Sequence, residues 1–166
     1  MTTQKEELLK TLDRFAGVKV AVVGDLLADL YVNARPAGLS REAPVMILKE
    51  EDRRVRPGGA ANAVNNVLAL SGRAFCVGLV GDDEAGRVLL EELEAGGADG
   101  GGVITVAGAK TYTKMRVFAG DLHTVKQQVL RLDCEGDNRM DAKTEALVVE
   151  AISLRACQAD AILVSD

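Results

Sequence analysis

The sequence has no tryptophan and a single histidine, and aromatic residues fill only 3% of its 166 positions. So few rings argue against a surface that stacks nucleobases. The one histidine, His123, stands in no Ser, Cys or Asp motif, so neither a metal centre nor a histidine-based triad is expected. Cysteines are also sparse. Cys76, Cys134 and Cys157 are odd in number and far apart, with no Cys-x-x-Cys pair. They read as reduced packing residues of a cytoplasmic protein, not as a disulfide framework. The net charge is −5 and no basic cluster occurs, which argues against a nucleic-acid partner. No apolar run reaches the roughly 18 residues of a membrane span, and the charged, amphipathic start lacks the apolar core of a secretory leader. A membrane partner is therefore not expected. Glycine is plentiful, but residues 95–102 match neither the dinucleotide fingerprint nor a P-loop and read as a flexible connector.

Hydrophobic residues make up 48% of the chain, enough for one domain with a real core. Its organising stretch is residues 56–86. Pro57, Gly58 and Gly59 make a bare turn, and an Ala- and Asn-rich helix follows over residues 60–71, with Ala63, Val67 and Leu70 on one face. Glycines ahead of a helix let a ligand approach its unpaired N–H groups. Asn62, in the first turn, offers that ligand both a donor and an acceptor. A buried strand, residues 75–80, leads to Gly81–Asp82–Asp83, where Asp83 caps the next helix and Leu89 and Leu93 point inward.

Upstream, Thr3 and Glu6 have capping-box spacing before a short amphipathic helix. Residues 18–23 form a nearly continuous apolar run, as in a strand covered on both faces. It ends at Gly24–Asp25, and a carboxylate there sits where open α/β sheets bind ligands; the competing reading is a turn or cap aspartate. Between Ala28 and Arg56, Pro36, Gly38 and Pro44 break the pattern into short pieces suited to edge or lid strands. The charged residues 50–56 read as solvated. Residues 111–119 and 125–133 read as a hairpin tipped by His123, with Tyr112, Lys114, Arg116 and Phe118 on one face. Asp141 caps a final helix through Arg155, and an apolar strand over 159–164 follows. A sheet strand with nothing after it suggests that more chain belongs to the fold.

Strand-Gly-Asp, a lid-like excursion, Pro-Gly-Gly-Ala-Ala-Asn and strand-Gly-Asp-Asp together resemble the N-terminal half of the ribokinase-like (PfkB-type) carbohydrate kinases. The resemblance runs from about Val18 to Asp166. Asp29–Leu30–Tyr31, Arg41–Glu42–Ala43–Pro44–Val45, residues 113–117 and residues 127–133 look closest to the heptose 7-phosphate kinase modules of ADP-heptose synthases.

This resemblance implies a three-layer α/β fold with a mostly parallel sheet and a small β lid, its strands within 28–56 and, as a second candidate, 111–133. It implies that Asp25 accepts hydrogen bonds from sugar hydroxyls, that the sugar lies over Gly58 and Gly59, and that Asn62 bonds its hydroxyls. Lys114, Arg116 and Arg131 become candidates to meet a phosphate already on the sugar, because arginine pairs with phosphate through two parallel bonds. ATP and Mg²⁺ are implied for the complete enzyme, with neither held tightly by this chain, and a homodimer through the lid strands is expected. The family's catalytic Gly-Ala-Gly-Asp motif does not occur here. The chain is thus expected to supply sugar binding and lid without transferring phosphate alone. The alternative is a non-catalytic sugar-binding or dimerisation module.

Overall fold

The apolar run after Gly17 becomes strand β1 (Lys19–Gly24), and a computed structural model places it in the middle of a sheet. The structure describes residues 3–121, 125–136 and 140–165. In chain order the other elements are α1 (Gln4–Asp13), β2 (Leu26–Leu39), β3 (Met46–Gly59), α2 (Ala60–Ala69), β4 (Arg73–Gly81) and α3 (Glu84–Ala95). They continue with β5 (Asp99–Val106), β6 (Tyr112–Ala119), β7 (Gln127–Cys134), α4 (Ala142–Gln158) and β8 (Ala161–Ser165). Two four-stranded sheets result, one of order β5-β4-β1-β8 and parallel throughout, the other of order β3-β2-β6-β7 and mixed.

Parallel strands need crossovers, and right-handed crossovers put helices on both faces of the first sheet. On β4, Ala74 and Cys76 join a core with Val22 of β1, Val64 of α2, and Leu89 and Leu93 of α3. The intervening Phe75 faces the other way, where the Arg155 guanidinium of α4 lies 5.3 Å from its ring centre. The layers are therefore α2 and α3, then sheet, then α4. The caps expected from sequence are present: Asp83 accepts from Gly86 N–H at 2.9 Å and Asp141 from Thr144 N–H at 2.7 Å.

Three expectations need correction. Residues 28–56 are not short pieces but lie within two 14-residue strands, and β2 is an interior strand flanked by β3 and β6. Register shifts at Asn33/Ala34 and Pro36/Gly38 absorb the residues that would otherwise break the ladder. Nor are residues 95–102 a connector, because β5 begins at Asp99. The glycines are there for space: a side chain at Gly101 would strike the Arg155 guanidinium, and one at Gly102 would come within 2.7 Å of the Cys76 carbonyl oxygen. Arg155 uses that room to hold the Asp99 carboxylate at 2.8 and 3.1 Å. Finally, α2 turns Ala60, Ala61 and Val64 fully inward, while Ala63 and Val67 are half-buried and Leu70, past the helix end, is exposed.

The second sheet curls. Asn33 pairs with Asp52 and Ala34 with Glu50, which leaves Glu51 as the bulged residue. Its carboxylate accepts from Lys126 Nζ at 2.9 Å, beside the opposite edge strand. The edges of a flat four-stranded sheet would lie about 14 Å apart. Inside the curl, Leu30, Val32, Ala34 and Val117 form a second small core.

Candidate functional site

The site is built where β1 ends, at the carboxyl edge that open parallel sheets use for ligands. The backbone carbonyl of Asp25 accepts the Ala60 N–H at 2.9 Å, so the end of β1 is tied to the start of α2. Gly59 sits in this joint with φ +54°, where a side chain is strained, and a Cβ there would lie 2.5 Å from the Asp25 carbonyl oxygen. A Cβ on Gly58 would meet the Asp29 carboxylate at 2.9 Å. The glycine pair is thus the closing end of β3, packed against its neighbours, and not the uncrowded turn expected from sequence.

Two hollows open beside this joint, each of about 390 Å³, and Gly59 lines both. The first takes Asp29, Tyr31, Arg56, Pro57, Gly58, Asn62 and Asn65. The second takes Asp25, Leu27, Tyr112, Lys114 and Glu135. Asp25 and Asn62 therefore flank one glycine from adjoining hollows and do not line the same one. Gly58, Gly59 and Asn62 are brought together in the first, Asp25 and Lys114 in the second.

The other two candidate cations are engaged. Arg116 donates to Asp29 at 2.6 Å and lies 5.5 Å from the Tyr31 ring centre, and that ring stacks on Phe118. Arg131 grips Asp133 through two bonds of 2.6 and 2.7 Å at an exposed edge, and those bonds hold the Asp133 carboxyl below its usual range. Neither lines either of these two hollows. His123 lies outside the described residues.

A third feature fixes the root of β6. Asp83 accepts from Thr111 Oγ1 at 2.6 Å, Thr111 N–H at 3.0 Å and Gly86 N–H. Burial alone would raise its carboxyl, but these hydrogen bonds together outweigh it and hold the group below its ordinary value. Buried Thr111 also receives the Gly81 N–H at 2.9 Å, so the strand that carries Lys114 and Arg116 is pinned to the end of β4.

Sequence reasoning missed Arg56 and Asn65 as lining residues. Asn65 had a signal, since it follows Asn62 by three positions and so shares its helix face. Arg56 had none, because it closes a charged stretch that reads as ordinary solvated surface.

The model of the pfkB family of carbohydrate kinases matches residues 18–150. The chain belongs to that family. It is 44% identical over 124 residues to the bifunctional protein HldE of Halorhodospira halophila, a match covering 75% of this chain and 25% of that protein. The HldE protein of Citrifermentans bemidjiense is 32% identical over 163 residues, covering 98% and 32% respectively. The chain spans between a quarter and a third of the length of these curated relatives. Among solved structures, a carbohydrate kinase from Agrobacterium tumefaciens aligns with a TM-score of 0.61 at 16% identity, over 89% of this chain and 45% of that one. An Arabidopsis thaliana ribokinase complexed with ribose and ATP gives 0.56 at 19%, over 89% and 53%. At those identities the likeness is one of fold, and the fold is ribokinase-like.

Proposed function

We propose that this chain forms the acceptor-sugar site and lid of an ATP-dependent kinase acting on a sugar phosphate. The acceptor proposed is heptose 7-phosphate, phosphorylated at its anomeric hydroxyl, and the product would feed ADP-heptose and lipopolysaccharide core synthesis. Family membership and the similarity to HldE proteins support the reading. The observation that carries it is the placement of Asp25 and Asn62 on either side of Gly59, at the end of β1 and at the foot of the second sheet.

In this reading the Asp25 carboxylate accepts from sugar hydroxyls and the Asn62 amide both donates and accepts, while Gly58 and Gly59 let the end of β3 pack close to Asp29 and Asp25 and so bring the two groups together. The second sheet is the lid that shields the sugar. Lys114, beside Asp25, is the basic residue best placed toward the acceptor; the charges of Arg116 and Arg131 are already balanced by Asp29 and Asp133. Phosphoryl transfer depends on positioning and on charge stabilisation at the phosphates. ATP and Mg²⁺ are proposed for the complete enzyme. Two copies are proposed to pair through the lid strands, whose edges β3 and β7 are open. Sedimentation as a monomer at all concentrations would remove the pairing.

The test mixes the chain with ATP, Mg²⁺ and heptose 7-phosphate. Thermal stabilisation by the sugar without turnover is expected. Turnover by this chain alone would contradict the division of labour, and absence of stabilisation would contradict the sugar site.

A further inference from the structure

The hollow that holds Asn62 also contains a cation, Arg56, that no carboxylate among the described residues holds. Arg56 faces Asp29 across the β2–β3 ladder, but that carboxylate is taken by Arg116 at 2.6 Å. The other β3 arginines, Arg53 and Arg54, each hold a carboxylate at 2.8 Å, whereas Arg56 has no ion pair among the described residues. Asp29 also lines this hollow, yet Arg116 balances its charge, so Arg56 leaves the hollow with a surplus positive charge.

The start of α2 opens on the same space. Its N-cap is Gly59, which offers no side chain, and its first turn carries no acidic residue. The Ala60 N–H is taken by Asp25, while the N–H groups of Ala61 and Asn62 have no capping side chain. A guanidinium, the positive end of a ten-residue helix and the amides of Asn62 and Asn65 thus line or border one polar hollow. Neutral hydroxyls need none of this positive charge; a phosphate monoester matches all of it.

We propose that Arg56, together with Asn65 and the start of α2, receives the phosphate that the acceptor sugar already carries, and so selects a sugar phosphate over the free sugar, Asn62 between them staying with the hydroxyls. This assignment rests on the sugar-kinase reading above and moves the phosphate away from Lys114, Arg116 and Arg131. A sugar phosphate lying across Gly59 then turns its hydroxyls toward Asp25 and its phosphate toward Arg56.

The test is calorimetric titration of the whole chain with heptose 7-phosphate, with unphosphorylated heptose and with ADP. The native chain is expected to prefer the phosphorylated sugar by about tenfold or more, the usual scale for a charge-assisted contact. Arg56→Gln erases that preference through a loss of heptose 7-phosphate affinity, and Arg56→Lys retains part of it. Arg56 is exposed on an edge strand, and circular dichroism checks that both variants fold. Full preference in Arg56→Gln overturns the proposal, as does its loss in Lys114→Gln instead. Arg56-dependent binding of ADP but not of the sugar phosphate assigns the cluster to a nucleotide and also overturns it. If the native chain binds neither sugar, the sugar-kinase reading has failed, and inorganic phosphate then decides the subsite alone. Arg56-dependent NMR shifts of the Asn62 and Asn65 amides would sustain it; their absence would overturn it.

Discussion

The two faces of the parallel sheet are covered very differently. On one, α2 and α3 bury Val64, Leu89 and Leu93 completely against Val22 and Cys76. On the other, α4 has no fully buried residue, and Leu147, Val149 and Leu154 remain exposed along it, as do Ile162 and Val164 of β8, whereas Leu163, level with Val22, is an exposed edge position of the first face. The proposed site belongs to the complete side: Asn62 rides on α2, whose Ala60, Ala61 and Val64 anchor it in the core. A sugar site needs donors and acceptors fixed in place, and a rigid helix start on a finished core provides that. The α4 side is held instead by a polar clasp, the Arg155–Asp99 pair lying over Phe75.

The largest expected contrast is in stability. Leu89→Ala should cost about 2–5 kcal/mol in urea unfolding, the range for a large-to-small change in a packed core. Leu147→Ala on α4 should stay within about 1 kcal/mol. Equal costs would erase the difference between the faces. Thiol chemistry reads the same contrast without mutation. Burial pushes the Cys76 thiol up to about 12, whereas Cys157 is exposed on α4. At pH 8 Cys157 should alkylate in the native chain and Cys76 only on unfolding; native-state labelling of Cys76 would show that the α2–α3 core opens.

The root of β6 comes next. Asp83→Asn keeps one capping oxygen but loses an acceptor for Thr111, and should cost about 1–3 kcal/mol, the range for an unmet buried donor. The native Asp83 carboxyl lies below its ordinary 3.8, so its stabilisation is complete above that value and drains away as the pH falls through the lowered one. The variant should lose that part of the acid limb, and an unchanged pH profile would remove Asp83 from the knot. The smallest effect is expected at the curled sheet. Glu51→Gln should cost less than about 1 kcal/mol, and the cost should shrink with salt, as for other exposed pairs.

Much of this was legible because it is local. The apolar run before Gly24, the caps at Asp83 and Asp141 and the hairpin of β6 and β7 follow from short-range pattern. What escaped depends on distant neighbours. Glycines 100–102 read as a connector, because only the folded chain shows Arg155 and the Cys76 carbonyl claiming the space beside them. The length of β2 and β3 was hidden by Pro36 and Gly38, which bulges accommodate. At the site, Asp25, Gly59 and Asn62 were visible as motif positions. That Arg116 would be held by Asp29 was not, because those residues are 87 positions apart and meet only through the β2–β6 ladder.

The most direct measurement is the affinity of heptose 7-phosphate for the native chain and for Asp25→Ala, by titration calorimetry. A carboxylate that grips hydroxyls should be worth about 1.5–3 kcal/mol, roughly a 10- to 150-fold loss of affinity in the variant. Equal affinities would show that the end of β1 does not touch the sugar.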